Sequence, residues 1–135
     1  MPQLLDHKVD FYLNGHEHAL EYAHYPFEQG TRSHNLGEYQ CLPNLELNFD
    51  FNTRYSEFNQ GESLHQATVG STGYDLYNLC PTRPSMGWYR YANNQKHGFA
   101  HVSVSEREFT IRFLTIDQGS QASSEVYRVS VFRDQ

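Results

Sequence analysis

Three strand-period segments close the chain, and they constrain its fold more than any other feature. Residues 99–104, 109–116 and 126–132 are rich in β-branched and aromatic side chains, and they are separated by Ser105-Glu106-Arg107-Glu108 and by the polar stretch 117–125. Connections that short between segments of strand length imply an antiparallel meander. In the middle segment Phe109, Ile111 and Phe113 share one face while Thr110 and Arg112 share the other. At least its first half therefore has one wet side.

Helix is scarce by comparison. Pro2 suits the first turn of a helix that Leu4, Leu5 and His7-Lys8 would complete, but a helix that short does not stand alone in water. Val9-Asp10-Phe11-Tyr12-Leu13 follows as a mostly apolar run stopped by Asn14-Gly15, the pattern of a buried strand ending in a tight loop. A helix followed by a buried strand is half of an α/β layered unit, so the fold class expected is α/β with the remainder mostly β. Residues 20–25 read as a second strand that Pro26 breaks.

From 26 to 66 the chain is polar and punctuated by Gly30, Gly37, Pro43 and Gly61, with one alternation at Leu45, Leu47, Phe49 and Phe51. Little regular pattern over such a length reads as an insertion or a flap. The alternation itself predicts a half-buried strand or a pinned extended loop. Ala67-Thr68-Val69 leads into Gly70-Ser71-Thr72-Gly73, a small-residue turn where the backbone is expected to approach another segment closely. Residues 74–95 look irregular, with Pro81, Pro84 and Gly87 and the cluster Trp88-Tyr89-Arg90-Tyr91.

Composition narrows the function classes. A chain of 135 residues is the size of one domain, and its 10 Lys plus Arg against 16 Asp plus Glu leave a net charge of −6. It has no cationic field for phosphate backbones or an anionic bilayer, so neither nucleic acid nor membrane is an expected partner. No apolar run approaches the roughly 18 residues of a membrane helix. The N-terminal residues lack the basic-then-apolar pattern of a secretory signal. Aromatics at 15% beside charged residues at 19% fit a β-rich globular chain. Cys41 and Cys80 permit one bridge at most, and neither sits in a CxxC, so a zinc ribbon or a thioredoxin-like site has no support.

One short motif can carry chemistry: Gly15-His16-Glu17-His18, where the first strand ends. Loops at strand ends are where α/β folds place ligands. In extended backbone two imidazoles at i and i+2 project to the same side, so they can bind one metal ion or one each of two neighbouring ions. The only acid within the motif, Glu17, would face the other way. His97 and His101 flank Gly98 near a strand start and are candidates for the substrate side of the same site. His24, His34 and His65 fall in loop-like or edge contexts and read as ordinary hydrogen-bonded histidines. There is no GxSxG elbow and no Walker-type glycine loop.

Residues 9–21, the strand with its GHxH and trailing strand, resemble the last metal-binding block of the calcineurin-like metallophosphoesterases, and specifically that of the purple (tartrate-resistant) acid phosphatases. The similarity continues downstream. Val69-Gly70-Ser71-Thr72-Gly73 is similar to the family's small-residue segment, Met86-Gly87-Trp88-Tyr89-Arg90 to its aromatic stretch, and Gly98-Phe99-Ala100-His101-Val102-Ser103-Val104 to its Gly-Phe-Ala strand. Residues 109–115 resemble the penultimate strand, whereas 26–66 departs from the pattern. The resemblance implies a layered β-sandwich with helices outside, ending in the meander. It also implies a dinuclear centre of iron with iron, zinc or manganese, with His16 on the divalent ion and His18 on the ferric ion, and a metal-bound hydroxide that hydrolyses phosphomonoesters.

The family draws its other ligands from Asp, Tyr, Asn and His blocks that precede GHxH. Asp6 and Asp10 do not lie in such blocks, and no GNHE or GDxxY sequence occurs in the chain. The expectation is therefore a single partial domain over 1–135, inactive by itself, that needs its missing N-terminal portion or associates with itself through an exposed apolar patch. The other reading is a non-enzymatic β-rich binding domain, with Trp88, Tyr89, Tyr91 and Tyr74 as an aromatic surface.

Overall fold

The computed structural model describes residues 2–27, 46–48, 54–78 and 89–133. A helix, α1 (Pro2–Asp6), precedes nine strands: β1 (Phe11–Asn14), β2 (Leu20–Pro26), β3 (Glu46–Asn48), β4 (Tyr55–Asn59), β5 (Ser63–Val69), β6 (Tyr89–Asn93), β7 (Gly98–Val104), β8 (Glu108–Ile116) and β9 (Ser123–Phe132). Strands make up 57% of the described residues, which makes the chain mostly β with one short helix among them. Lys8, at a left-handed φ of 49°, turns the chain out of α1 towards β1.

The strands form two open, mixed sheets. The first has the order β1-β5-β2-β6-β3, and only its β1–β5 pair is parallel. The second has the order β4-β9-β8-β7: β7, β8 and β9 are the antiparallel meander implied by the sequence, and β4 joins β9 in parallel. Pairing of Phe109 with Val131, Ile111 with Val129 and Phe113 with Tyr127 puts both sets of alternating apolar residues on one face. A bulge between Phe113 and Leu114 ends that regular register.

That face meets the first sheet. Leu20, Tyr22, Ala67 and Tyr91 from one side and Ile111, Phe113, Val126, Tyr127, Val129 and Val131 from the other make the core. Its centre is aromatic, with Tyr91 stacked on Tyr127 at 5.0 Å and 11°, and Tyr22 tilted against Tyr127 at 5.7 Å. Burying a tyrosine costs stability unless its hydroxyl finds a partner. Each does: Tyr22 with His65 Nδ1 at 2.8 Å, Tyr127 with Ser56 Oγ at 2.6 Å, and Tyr91 with the amide of Asn93 at 3.0 Å. Desolvation pushes the Tyr91 hydroxyl far above its ordinary pKa of 10.0, so it stays a neutral core group.

Several sequence expectations change in three dimensions. Among the described residues β1 is an edge strand paired only with β5, so it is half-exposed rather than buried, and Tyr12 and Leu13 face water. The apolar face of β8 is covered by this chain's own first sheet, and the exposed large apolar side chains among the described residues lie instead on the edge strands β1, β4 and β7, where Val104 is 73% exposed, and in the loop after β5. His24 and His65 are buried residues of the central strands β2 and β5, not loop or edge residues. Tyr91 is a core residue and no part of an aromatic surface. β3 falls inside the alternation at 45–51, and β4 and the first half of β5 also lie in the range 26–66. Cys41, Cys80, His34, Phe49, Phe51 and Trp88 lie outside the described residues.

Candidate functional site

The parallel pair β1 and β5 decides where the motif sits. Their registers end together at Asn14 and Thr68, whose side chains are joined by a 3.1 Å hydrogen bond. The loops that follow, 15–19 and 70–78, therefore leave the same edge of the sheet side by side, the usual position of a ligand site in a sheet with parallel strands.

The two loops are in backbone contact. Gly70 N donates to Ala19 O at 3.0 Å, and a Cβ built on Gly70 would lie 1.8 Å from the Glu17 carbonyl oxygen. Only glycine fits there, which gives the close approach implied by the small-residue turn its partner. Gly70→Ala is expected to cost about 1–3 kcal/mol, because backbone rather than a flexible side chain must move. The measurement is a denaturant titration together with the ring resonances of His18. Unchanged stability and unchanged resonances would show that the contact is unimportant.

The motif itself is bent rather than extended, so the same-side projection of i and i+2 does not apply. Residues 16–19 are bends, Ala19 N donates back to Glu17 O at 2.8 Å, and His16 has a left-handed φ of 77°. A non-glycine residue in that region is uncommon and carries local strain, which functional loops hold more often than others. His16 and Glu17 are exposed.

His18 is half-buried and held on three sides. Its Nδ1 lies 2.6 Å from the carbonyl oxygen of Asp75, its ring stacks on Tyr77 at 4.0 Å and 23°, and Tyr74 meets it edge-on at 5.1 Å and 75°. A carbonyl can only accept, so Nδ1 carries the proton, and in the neutral ring Nε2 keeps its lone pair. That is the tautomer and support found for metal-ligating histidines, whose second nitrogen commonly donates to a backbone carbonyl.

His97 belongs to the same cluster in a different role. Its Nε2 donates to Tyr74 O at 2.7 Å, and its Nδ1 accepts from the Gln118 amide at 3.2 Å. Both nitrogens are engaged, so His97 positions the Tyr74 segment and has no lone pair to offer. His101 pairs with Arg112 across β7 and β8, is exposed, and by strand alternation faces away from Ala100 and the core. It is not brought to this loop. Asp75, Tyr77 and Gln118 are the partners that sequence reasoning missed, since backbone carbonyls and loop aromatics carry no motif.

Among the described residues, no group of three or more His, Cys, Asp or Glu side chains is placed to hold a metal ion. The imidazole of His18 fits a metal; a complete ligand set does not come from these residues. No protein-family model, no curated protein and no solved structure matches the chain.

Proposed function

We propose that this chain supplies the last two metal ligands, His16 and His18, of a dinuclear acid phosphatase of the calcineurin-like metallophosphoesterase kind, and that the remaining ligands come from outside it. The observation that carries the reading is the His18 ring, whose Nδ1 is committed to the Asp75 carbonyl and whose Nε2 is thereby prepared for a cation at the carboxyl end of a parallel strand pair. The motif order seen in the sequence, GHxH, the small-residue turn and a meander that the Gly-Phe-Ala strand opens, supports the same assignment.

In this reading His16 would hold the divalent ion and His18 the ferric ion. A bound pair of such ions supplies an activated water and screens the phosphoryl charge. The chain's own residues do the holding: Gly70 lets the 15–19 loop lie against the second loop, Asp75 sets the tautomer of His18, and Tyr77 fixes its plane. The outer edge of β1, which pairs with no other strand among the described residues, is where further strands of the complete enzyme would pair.

Zinc titrated into the chain should shift the ring resonances of both His16 and His18, with affinity at least about tenfold weaker in His18→Ala. No zinc-dependent shift at either ring would reject the assignment. Turnover of a chromogenic aryl phosphate by the chain alone should stay at background with iron and zinc present. Metal-dependent turnover that vanishes in His16→Ala would overturn the claim that outside ligands are required.

A further inference from the structure

We propose that the outer edge of β7 is a self-pairing surface, to which a second copy of this chain adds its own β7 in an antiparallel register centred on Val102. The inference does not depend on metal binding.

The hydrogen bonds at the two ends of the β7–β8 pair fix which backbone groups face outward. Ile116 N donates to His97 O at 2.8 Å and Ser105 N donates to Glu108 O at 2.8 Å, and in an antiparallel pair such bonded positions alternate with non-bonded ones. His97, Phe99, His101, Ser103 and Ser105 are therefore the positions bonded towards β8, and Gly98, Ala100, Val102 and Val104 direct their N–H and C=O groups to the other side. Gly98 shows that direction, because its N donates to Ser71 O at 3.2 Å. Ala100, Val102 and Val104 have no backbone partner there among the described residues. Their side chains share a face with Phe113, Ile111 and Phe109, the residues opposite them on β8. Ile111 and Phe113 are buried, yet Val102 is 40% and Val104 73% exposed. An open backbone edge and an apolar strip thus lie side by side.

What fits this edge is the strand itself. Edge strands are ordinarily blunted by charge, proline or a bulge. Residues 98–104 hold no Lys, Arg, Asp, Glu or Pro, and they pair with β8 without a register shift. Because the Gly98 amide is already committed to Ser71, pairing starts at Ala100, and the two-fold register that engages all the open groups sets Val102 against Val102 and Ala100 against Val104. That register puts no like charges opposite each other along the strand. At its ends it brings the connection holding exposed Lys96 beside the other copy's β7–β8 turn, which holds exposed Glu106. A strand of other sequence could satisfy the backbone, but the apolar match and the opposite end charges come with β7. So short a pairing buries less than the roughly 1,000 Å² of a stable interface, so the dimer is weak and the chain is monomeric in dilute solution.

The test is sedimentation equilibrium of the chain over about a hundredfold range of concentration into the millimolar, with amide hydrogen exchange at both extremes. The mass should rise towards that of a dimer, and exchange at Ala100, Val102 and Val104 should slow about fivefold while His101 and Ser103, already bonded to β8, change little. Val102→Pro removes the N–H on the two-fold axis without touching a bond to β8, and Val102→Lys sets like charges opposite one another. Each should weaken association at least about tenfold. If Val102→Pro melts earlier than the native chain, Val102→Lys alone decides. A chain that stays monomeric throughout overturns the proposal, as does association that Val102→Lys retains or that leaves the Ala100, Val102 and Val104 amides unchanged. Amides already slow at the lowest concentration would show that the chain covers this edge itself, and they overturn it as well.

Discussion

Between pH 7 and pH 4 the folded chain is expected to lose about 3 kcal/mol of stability through His65 alone. Burial first, and then the neighbouring His24, lower the His65 pKa from 6.5 to about 3. The ring sits on β5 between Phe11 at 5.1 Å, Phe58 at 4.9 Å and His24 at 5.5 Å, and its Nδ1 is bonded to the Tyr22 hydroxyl. With the folded pKa below the unfolded one, the unfolded chain binds the extra proton as acid is added. The stabilisation is therefore complete above about pH 6.5 and is lost progressively as the pH falls towards 3. Glu108, held below the ordinary carboxylate range by hydrogen bonds from Thr110 and Ser130, and Glu125, where partial desolvation pushes the pKa up but hydrogen bonds and charge from Arg112 and Arg128 together outweigh it, act in the same direction at the acid end. Both are close to solvent, and their share is correspondingly small. Thermal melts at closely spaced pH values, on the native chain and on His65→Gln, separate the contributions. A native chain whose melting temperature falls no faster than that of the variant between pH 6.5 and 4 would contradict the assignment.

Phe113→Ala is expected to cost about 3–5 kcal/mol, enough to unfold a marginal domain. Phe113 is fully buried and touches Tyr22, Tyr91 and Tyr127 at centroid distances of 6.5, 6.3 and 6.4 Å, so its ring bridges the two sheets. Removing it opens a cavity among large rings that have little freedom to collapse inward. Val104→Ser, on an edge strand and 73% exposed, should change stability by no more than about 0.5 kcal/mol. Urea titrations of the two variants test the architecture directly. A Phe113→Ala loss as small as that of Val104→Ser would mean that the sheets do not pack through β8.

The contrast between those two positions shows which parts of the fold were legible. The alternation of Phe109, Ile111 and Phe113 marks an inward face because a strand side chain has only two directions available. What that face packs against carries no such periodic mark. Tyr22, Tyr91 and Tyr127 meet from strands far apart in sequence, and the Trp88-Tyr89-Arg90-Tyr91 cluster looks like a surface until β6 is seen to pair between β2 and β3. His65 is similar: Leu64-His65-Gln66 reads as polar loop in one dimension, yet β5 lies between β1 and β2 and is covered by the second sheet.

The candidate site divides in the same way. GHxH at a strand end is a local pattern, and so are Gly70 as a point of close approach and the terminal meander, because backbone stereochemistry and short-range spacing are written in consecutive residues. Which imidazole nitrogen is available is set by non-local partners. The Asp75 carbonyl engages His18 Nδ1 and leaves Nε2 its lone pair, while the Tyr74 carbonyl and Gln118 occupy both nitrogens of His97, and His101 is carried to the outer face of β7. Residue type and spacing could nominate all of these histidines. Only the parallel pairing of β1 with β5, which brings two loops fifty residues apart in sequence to one sheet edge, distinguishes them, because a hydrogen bond depends on distance in space and not on separation along the chain.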